Sequence, residues 1–130
     1  MTLPAPAAVL RHGPEARLVR SIARLDGRGI TCTSRGRGPW RWPRMLEGAA
    51  QAAGLLVGIG NANGPRAPVI AEYRDVVVRA QWHRGPLRFV AAFERRVLHC
   101  WRCTFEVRDG RGAVLLRGRV TLAPPDGARA

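Results

Sequence analysis

Lysine is missing from this sequence altogether, and no run of 18 apolar residues occurs in it. The second absence excludes a membrane-spanning helix. The first leaves arginine to carry the whole basic side of a formal charge of +13. Cysteine is sparse: Cys32, Cys100 and Cys103 are an odd number that cannot all pair within one chain, which favours a reducing, cytoplasmic setting. No second cysteine pair exists to complete a zinc site beside Cys100 and Cys103, and no metal or other cofactor is expected. Met1 to Leu10 lacks a basic start and a long apolar stretch, so no signal peptide is expected. A length of 130 residues is one domain's worth and excludes a barrel of eight βα units.

Hydrophobic residues make up 46% of the chain, enough for a real core. The arginine excess has two readings. One is a polyanionic partner: nucleic acid, an anionic membrane or an acidic protein. The other is a GC-rich coding bias, which raises Arg, Ala, Gly and Pro together, and all four are abundant here. The bias explains the number of arginines without removing their field.

Along the chain, residues 1–9 are rich in Pro and Ala and read as a poorly ordered arm. Residues 10–123 read as a single domain and 124–130 as a tail. Residues 16–25 and 29–34 have strand-like content around Asp26-Gly27-Arg28-Gly29, and Asp-Gly is a strong hairpin signal. Residues 35–43 (RGRGPWRWP) read as a loop. Residues 44–59 (RMLEGAAQAAGLLVGI) form the one convincing helix, with Pro43 suited to its first turn. Apolar residues surround most of it, so it is expected to be buried. Gly48, Gly54 and Gly58 each cost roughly 1 kcal/mol of helix propensity, which a buried helix accepts where another backbone or a ligand comes close.

The remainder reads as strands at 69–80, 87–98, 99–108 and 113–122, with a loop at 83–86 and a turn at Asp109-Gly110-Arg111-Gly112. Alternation puts Trp101, Cys103, Phe105 and Val107 on one face of their strand. Val114, Leu116, Val120 and Leu122 share a face of the last strand, with Gly118 leaving a gap. The pattern is α+β: a sheet with one packed face and one buried helix to cover it.

The segment Met45-Leu46-Glu47-Gly48-Ala49-Ala50-Gln51-Ala52-Ala53-Gly54-Leu55-Leu56 resembles the Leu-Glu-Ala-x-Ala-Gln helix of the β-hydroxyacyl-acyl carrier protein dehydratases. Upstream, Leu10-Arg11-His12-Gly13-Pro14 followed by Leu18-Val19 resembles that family's Leu-Pro-His-Arg-Pro segment and the strand after it. The resemblance implies a hotdog fold, a long antiparallel sheet wrapped around one central helix. It also implies a homodimer with active sites at the subunit boundary, where a helix carboxylate acts with a histidine of the other subunit. By position Glu47 matches the carboxylate and Gln51 the family's glutamine. The family's His-Phe-Pro-Gly segment has no counterpart here: Thr33 to Trp42 contains no histidine.

The resemblance implies a protein that acts on or binds acyl thioesters of acyl carrier protein or coenzyme A, in fatty acid or polyketide metabolism. Dehydration of a 3-hydroxyacyl thioester is the first expectation. A thioesterase using Glu47 is the second, and a non-catalytic acyl- or partner-binding relative the third.

Each candidate has a structural reading beside the functional one. A carboxylate in an apolar helix is costly to bury and, once desolvated, suited to acid–base work. Near a helix start it is also simply a favourable charge. Gln51 holds a water or orients Glu47, or bonds to backbone. Gly48 and Gly54 leave room for an acyl chain, or let the helix pack closely. Trp40 and Trp42 could stack on nucleic-acid bases or shape a pocket mouth, and the resemblance implies the pocket, since in that family this segment borders the active site. No recognised nucleic-acid motif is present. Arg41 and Arg44, with Arg35, Arg37 and Arg66, meet a carrier protein or pantetheine phosphates, or are solvated. His12 reads as structural, His83 as a loop residue and His99 as the start of a strand. Cys100 and Cys103 fall on opposite faces of a strand and cannot share a metal.

Overall fold

A computed structural model describes residues 17–60 and 68–125 of the chain, together with Pro6. Both Asp-Gly pairs turn the chain as the sequence predicts. The Asp26 carboxylate accepts hydrogen bonds from the Arg28 amide (2.8 Å) and the Gly29 amide (2.9 Å), joining β1 (Val19–Leu25) to β2 (Gly29–Ser34). Asp109 accepts from the amides of Arg111 (2.9 Å) and Ala113 (3.0 Å), joining β7 (Cys100–Arg108) to β8 (Val114–Ala123). These backbone donors hold both carboxyls below the usual range, because they bond to the charged form.

Between the hairpins lie β3 (Trp40–Arg41), α1 (Trp42–Gly60), β4 (Val69–Val78), β5 (Trp82–His83) and β6 (Arg88–Val97). Six strands form one sheet in the order β1-β2-β6-β7-β8-β4, and every neighbouring pair is antiparallel. β1 and β4 are its edges. Its inner face carries Ile30, Phe89, Phe105, Leu116 and Leu122, all buried. Against that face lies α1, in which Met45 and every residue from Gly48 to Gly58 is buried. The expected alternation is present: Cys103, Phe105 and Val107 point inward, and so do Leu116, Val120 and Leu122. The gap left by Gly118 is filled by the Phe105 ring, whose Cζ would lie 2.8 Å from a Cβ placed there.

Gly48 marks the closest approach of helix and sheet. A Cβ at that position would run into the buried ring of Phe89. Gly48→Ala gains about 1 kcal/mol of helix propensity. It also overpacks a rigid core, which costs typically 1–3 kcal/mol. The overpacking is expected to win, giving a lower urea midpoint with an unchanged slope, and Phe89→Leu in the same chain is expected to restore part of the loss. A Gly48→Ala protein as stable as wild type would mean that the ring yields.

Three details differ from the sequence reading. Segments 35–43 and 83–86 are not plain loops: Trp40 pairs with His83 and Arg41 with Trp82 in a two-stranded ribbon. Two-residue strands are too short to show a period, so only tertiary pairing makes them. The helix starts two residues earlier than expected, at Trp42. The β6–β7 turn falls on Leu98 and His99, so His99 occupies a turn and does not open a strand; Leu98 takes a positive φ of 58°. The arm at 1–9 (Pro6 apart), the segment Leu10–Pro14 with His12, Arg66, and tail residues 126–130 lie outside the described residues. No described helix is long and apolar enough to cross a membrane.

Candidate functional site at the start of the helix

The ribbon of β3 and β5 clamps the start of α1. The Trp40 indole is buried, donates from Nε1 to the Gly85 carbonyl (3.0 Å) and meets Phe89 edge-on at 6.2 Å. The Gly85 amide donates to the Arg37 carbonyl (2.7 Å), and the Trp42 amide to the Gln81 carbonyl (3.0 Å). A Trp/Pro/Gly-rich segment thus becomes a rigid lead into the helix, held by hydrogen bonds that leave little of the buried backbone unpaired.

The clamp sorts the expected site residues into two groups. Trp40, Gly48, Gln51 and Gly54 face inward and are buried. Arg41, Trp42, Arg44 and Glu47 face outward. Trp42 is 38% exposed, and Trp82, across the ribbon from Arg41, is 54% exposed. Two accessible indoles at the lead into the helix are the kind of exposed apolar group that marks an interaction surface. Sequence reading gave Trp82 no role, because its partner across the ribbon is visible only in three dimensions.

Glu47 stands in the second turn of α1 and is exposed. Burial by this chain alone therefore does not desolvate it. Its field reaches Tyr73 of β4, whose phenol is pushed above its ordinary range first by partial burial and then by the negative charge of Glu47. Tyr73 is a residue within the field of Glu47 to which sequence reading gave no role. Strand alternation could not place it, because register shifts between Ile70 and Glu72 and between Arg74 and Val77 break the period of two in β4.

Gln51 is 2% exposed, and its Oε1 accepts the Leu18 amide at 2.8 Å. This bond fastens the chain just before β1 to the helix. Gln51→Leu strands a buried N–H, at a cost of about 1–3 kcal/mol. Urea unfolding is expected to show that loss, and a midpoint equal to wild type would remove the fastening role. Gly48 packs under Phe89, as described above, so its missing side chain serves the helix–sheet contact.

Cys32 and Cys103 are not nucleophiles at neutral pH. Burial pushes the thiols of Cys32 and Cys103 up to about 12. Cys100 is half-buried, and all three are free thiols. No group of three or more His, Cys, Asp or Glu among the described residues is placed to hold a metal. His83 lies beside Trp40 and adds a small lowering influence on Asp109. Two open clefts, of about 430 and 580 Å³, lie between strands; Asp75, Thr104, Glu106 and Arg119 help to line the first, and Arg20, Thr33 and Arg88 the second. Glu47 lines neither.

No protein-family model and no curated protein matches the sequence. Solved structures do match its fold. One is the dehydratase heterocomplex ApeI:P from Xenorhabdus doucetiae, with 15% identity and a TM-score of 0.81 over 96% of this chain and 93% of that one. Another is a thioesterase from Haemophilus influenzae, with 13% identity and a TM-score of 0.69 over 86% of this chain and 82% of that one. A thioesterase from Staphylococcus aureus, carrying one substitution, has 12% identity and a TM-score of 0.63 over 80% of this chain and 93% of that one. The chain has the hotdog fold, as the helix motif led us to expect.

Proposed function

We propose that this chain is a hotdog acyl-thioester enzyme of the dehydratase type, which converts a 3-hydroxyacyl thioester to its trans-2-enoyl form with Glu47 as acid–base group. The observation that supports this most is the placement of Glu47. It is the one carboxylate of the helix, exposed in the second turn, just after the lead that the Trp40 clamp fixes. Such a group gains acid–base power when a second surface covers it and removes water. The free edge of β4 offers that second surface a place to bind. The partner in this reading is a second copy of the chain. An unlike hotdog subunit is the alternative, raised by the heterocomplex among the structural neighbours, and mixing experiments separate the two.

Arg41 and Arg44 stand exposed at the helix start, where they suit the acidic face of a carrier protein or the phosphates of coenzyme A. The reaction needs no cofactor, since it moves only protons and water. The deciding experiment is incubation of the purified chain with 3-hydroxyacyl and acyl thioesters, on carrier protein and on coenzyme A, with detection of enoyl product and free thiol. Enoyl thioester supports dehydration. Free thiol with free acid supports the second reading, a thioesterase. That reading is favoured by the thioesterases among the neighbours and by the single carboxylate, which suffices as a base on water or as a nucleophile. Binding without either product leaves a non-catalytic acyl-binding protein.

A further inference from the structure

Four side chains stand in one row across the face of the sheet turned away from α1. Ser21 of β1 opposes Thr33 of β2, Thr33 opposes Arg88 of β6, and Arg88 opposes Arg108 of β7. Opposed residues of an antiparallel pair share a face, and the alternation that buries Cys32, Phe89 and Val107 turns this row outward. Three of the four, with Arg20, line the second of the two clefts, of about 580 Å³. Among the described residues its walls hold no carboxylate.

Arg88 and Arg108 are like charges set directly opposite, an arrangement that destabilises a sheet unless a counter-charge is at hand. Arg108 has one: its Nη2 donates to Glu106 at 2.7 Å. Arg20 and Arg88 make no ion pair among the described residues. The Asp109 carboxylate is taken up by the Arg111 and Ala113 amides of its own turn. The first cleft differs, because Arg119 there is held by Asp75 at 2.7 Å and by Glu94 at 3.0 Å. Between the free arginines, Ser21 Oγ and Thr33 Oγ1 lie 2.6 Å apart. One proton closes that pair. The other has only the Ser21 carbonyl among the described residues, 3.4 Å from Thr33 Oγ1, so it is available to a ligand oxygen.

We propose that this cleft binds a phosphate dianion, free or as a monoester. The Arg20 and Arg88 guanidinium groups hold its oxygens, and the Ser21–Thr33 pair donates one further hydrogen bond. Each guanidinium is a planar fork of donors, and a phosphate has three or more acceptor oxygens to meet two forks and a hydroxyl. Its charge supplies what the Arg88–Arg108 pair lacks. The volume leaves room for an ester group beside the phosphate. Glu47 lines no part of this cleft, so the inference stands apart from the acyl-thioester reading.

Calorimetric titration of the whole chain at fixed ionic strength tests it, with inorganic phosphate, a nucleoside monophosphate and the bare nucleoside as probes. Both phosphates are expected to bind and the nucleoside is not. Tighter binding of the monophosphate makes the ligand an ester; equal affinities make it the free ion. Arg20→Gln and Arg88→Gln are each expected to weaken phosphate binding about tenfold or more. Arg117→Gln removes the same charge from the first cleft and is expected to leave binding unchanged. All three positions are exposed, so the fold should tolerate each change. Equal weakening by all three variants would assign the effect to the general field of the +13 chain and overturn the site. A wild type that ignores millimolar phosphate, or binds the bare nucleoside as well as the monophosphate, would overturn it too.

Discussion

Glu47→Gln is expected to slow enoyl formation by at least about 10²-fold, equivalent to about 2.7 kcal/mol of transition-state stabilisation. Folding stability is expected to stay within about 0.5 kcal/mol of wild type, as for other surface substitutions. The two expectations separate because Glu47 is exposed and makes no ion pair among the described residues. Glutamine keeps the shape and the hydrogen-bonding reach of glutamate but cannot take a proton at neutral pH. The thioesterase alternative predicts a similar loss, read as free thiol, so the variant tests the residue and the product tests the reaction. Glu47→Gln as active as wild type would place the chemistry elsewhere, whichever product forms.

The fold was legible because its signals are local and repeated. Asp26 and Asp109 carry turn chemistry in a single side chain, and the alternation around Phe105 and Leu116 needs only a period of two. The helix announced itself through small and apolar residues that no exposed helix would carry all round. The site was legible only in part. Glu47 and Gln51 are four residues apart and share a helix face by spacing. Yet Gln51 is drawn to the Leu18 amide while Glu47 stays outside. Spacing fixes the face of a helix, whereas the partner waiting there comes from a segment 33 residues away. Trp40 and Trp42 look alike in the sequence, but the β3–β5 ribbon buries one and exposes the other. Tyr73 and Trp82 were illegible for the same reason: each acquires its neighbours by long-range pairing.

Ile70→Lys with Val77→Lys is expected to abolish self-association, so that light scattering at micromolar concentration reports a 14.2 kDa monomer where wild type gives twice that mass. β4 is an edge strand, yet Val69, Ile70 and Val77 on it are 39, 44 and 41% exposed. Natural edges are commonly blunted by lysine or proline, and this chain has no lysine to place there. It has a bulge instead: Asp75 takes a φ of 53° where the register with β8 shifts, and Arg119 pins its carboxylate at 2.7 Å. A second register shift lies between Ile70 and Glu72, so Val69 and Ile70 fall before the irregular stretch and Val77 after it. Ile70 and Val77 are 44 and 41% exposed, so covering what remains contributes about 1 kcal/mol each, and a two-fold axis doubles the sum. Four lysines brought together at one boundary add repulsion to that loss. The fold of the single subunit should tolerate the change, since both positions already face solvent. Activity is expected to fall with the mass, because an uncovered Glu47 keeps its water. A double variant that remains dimeric would move the contact away from β4, toward the Trp42 and Trp82 indoles. A monomeric variant that keeps full activity would show that Glu47 needs no second subunit to cover it.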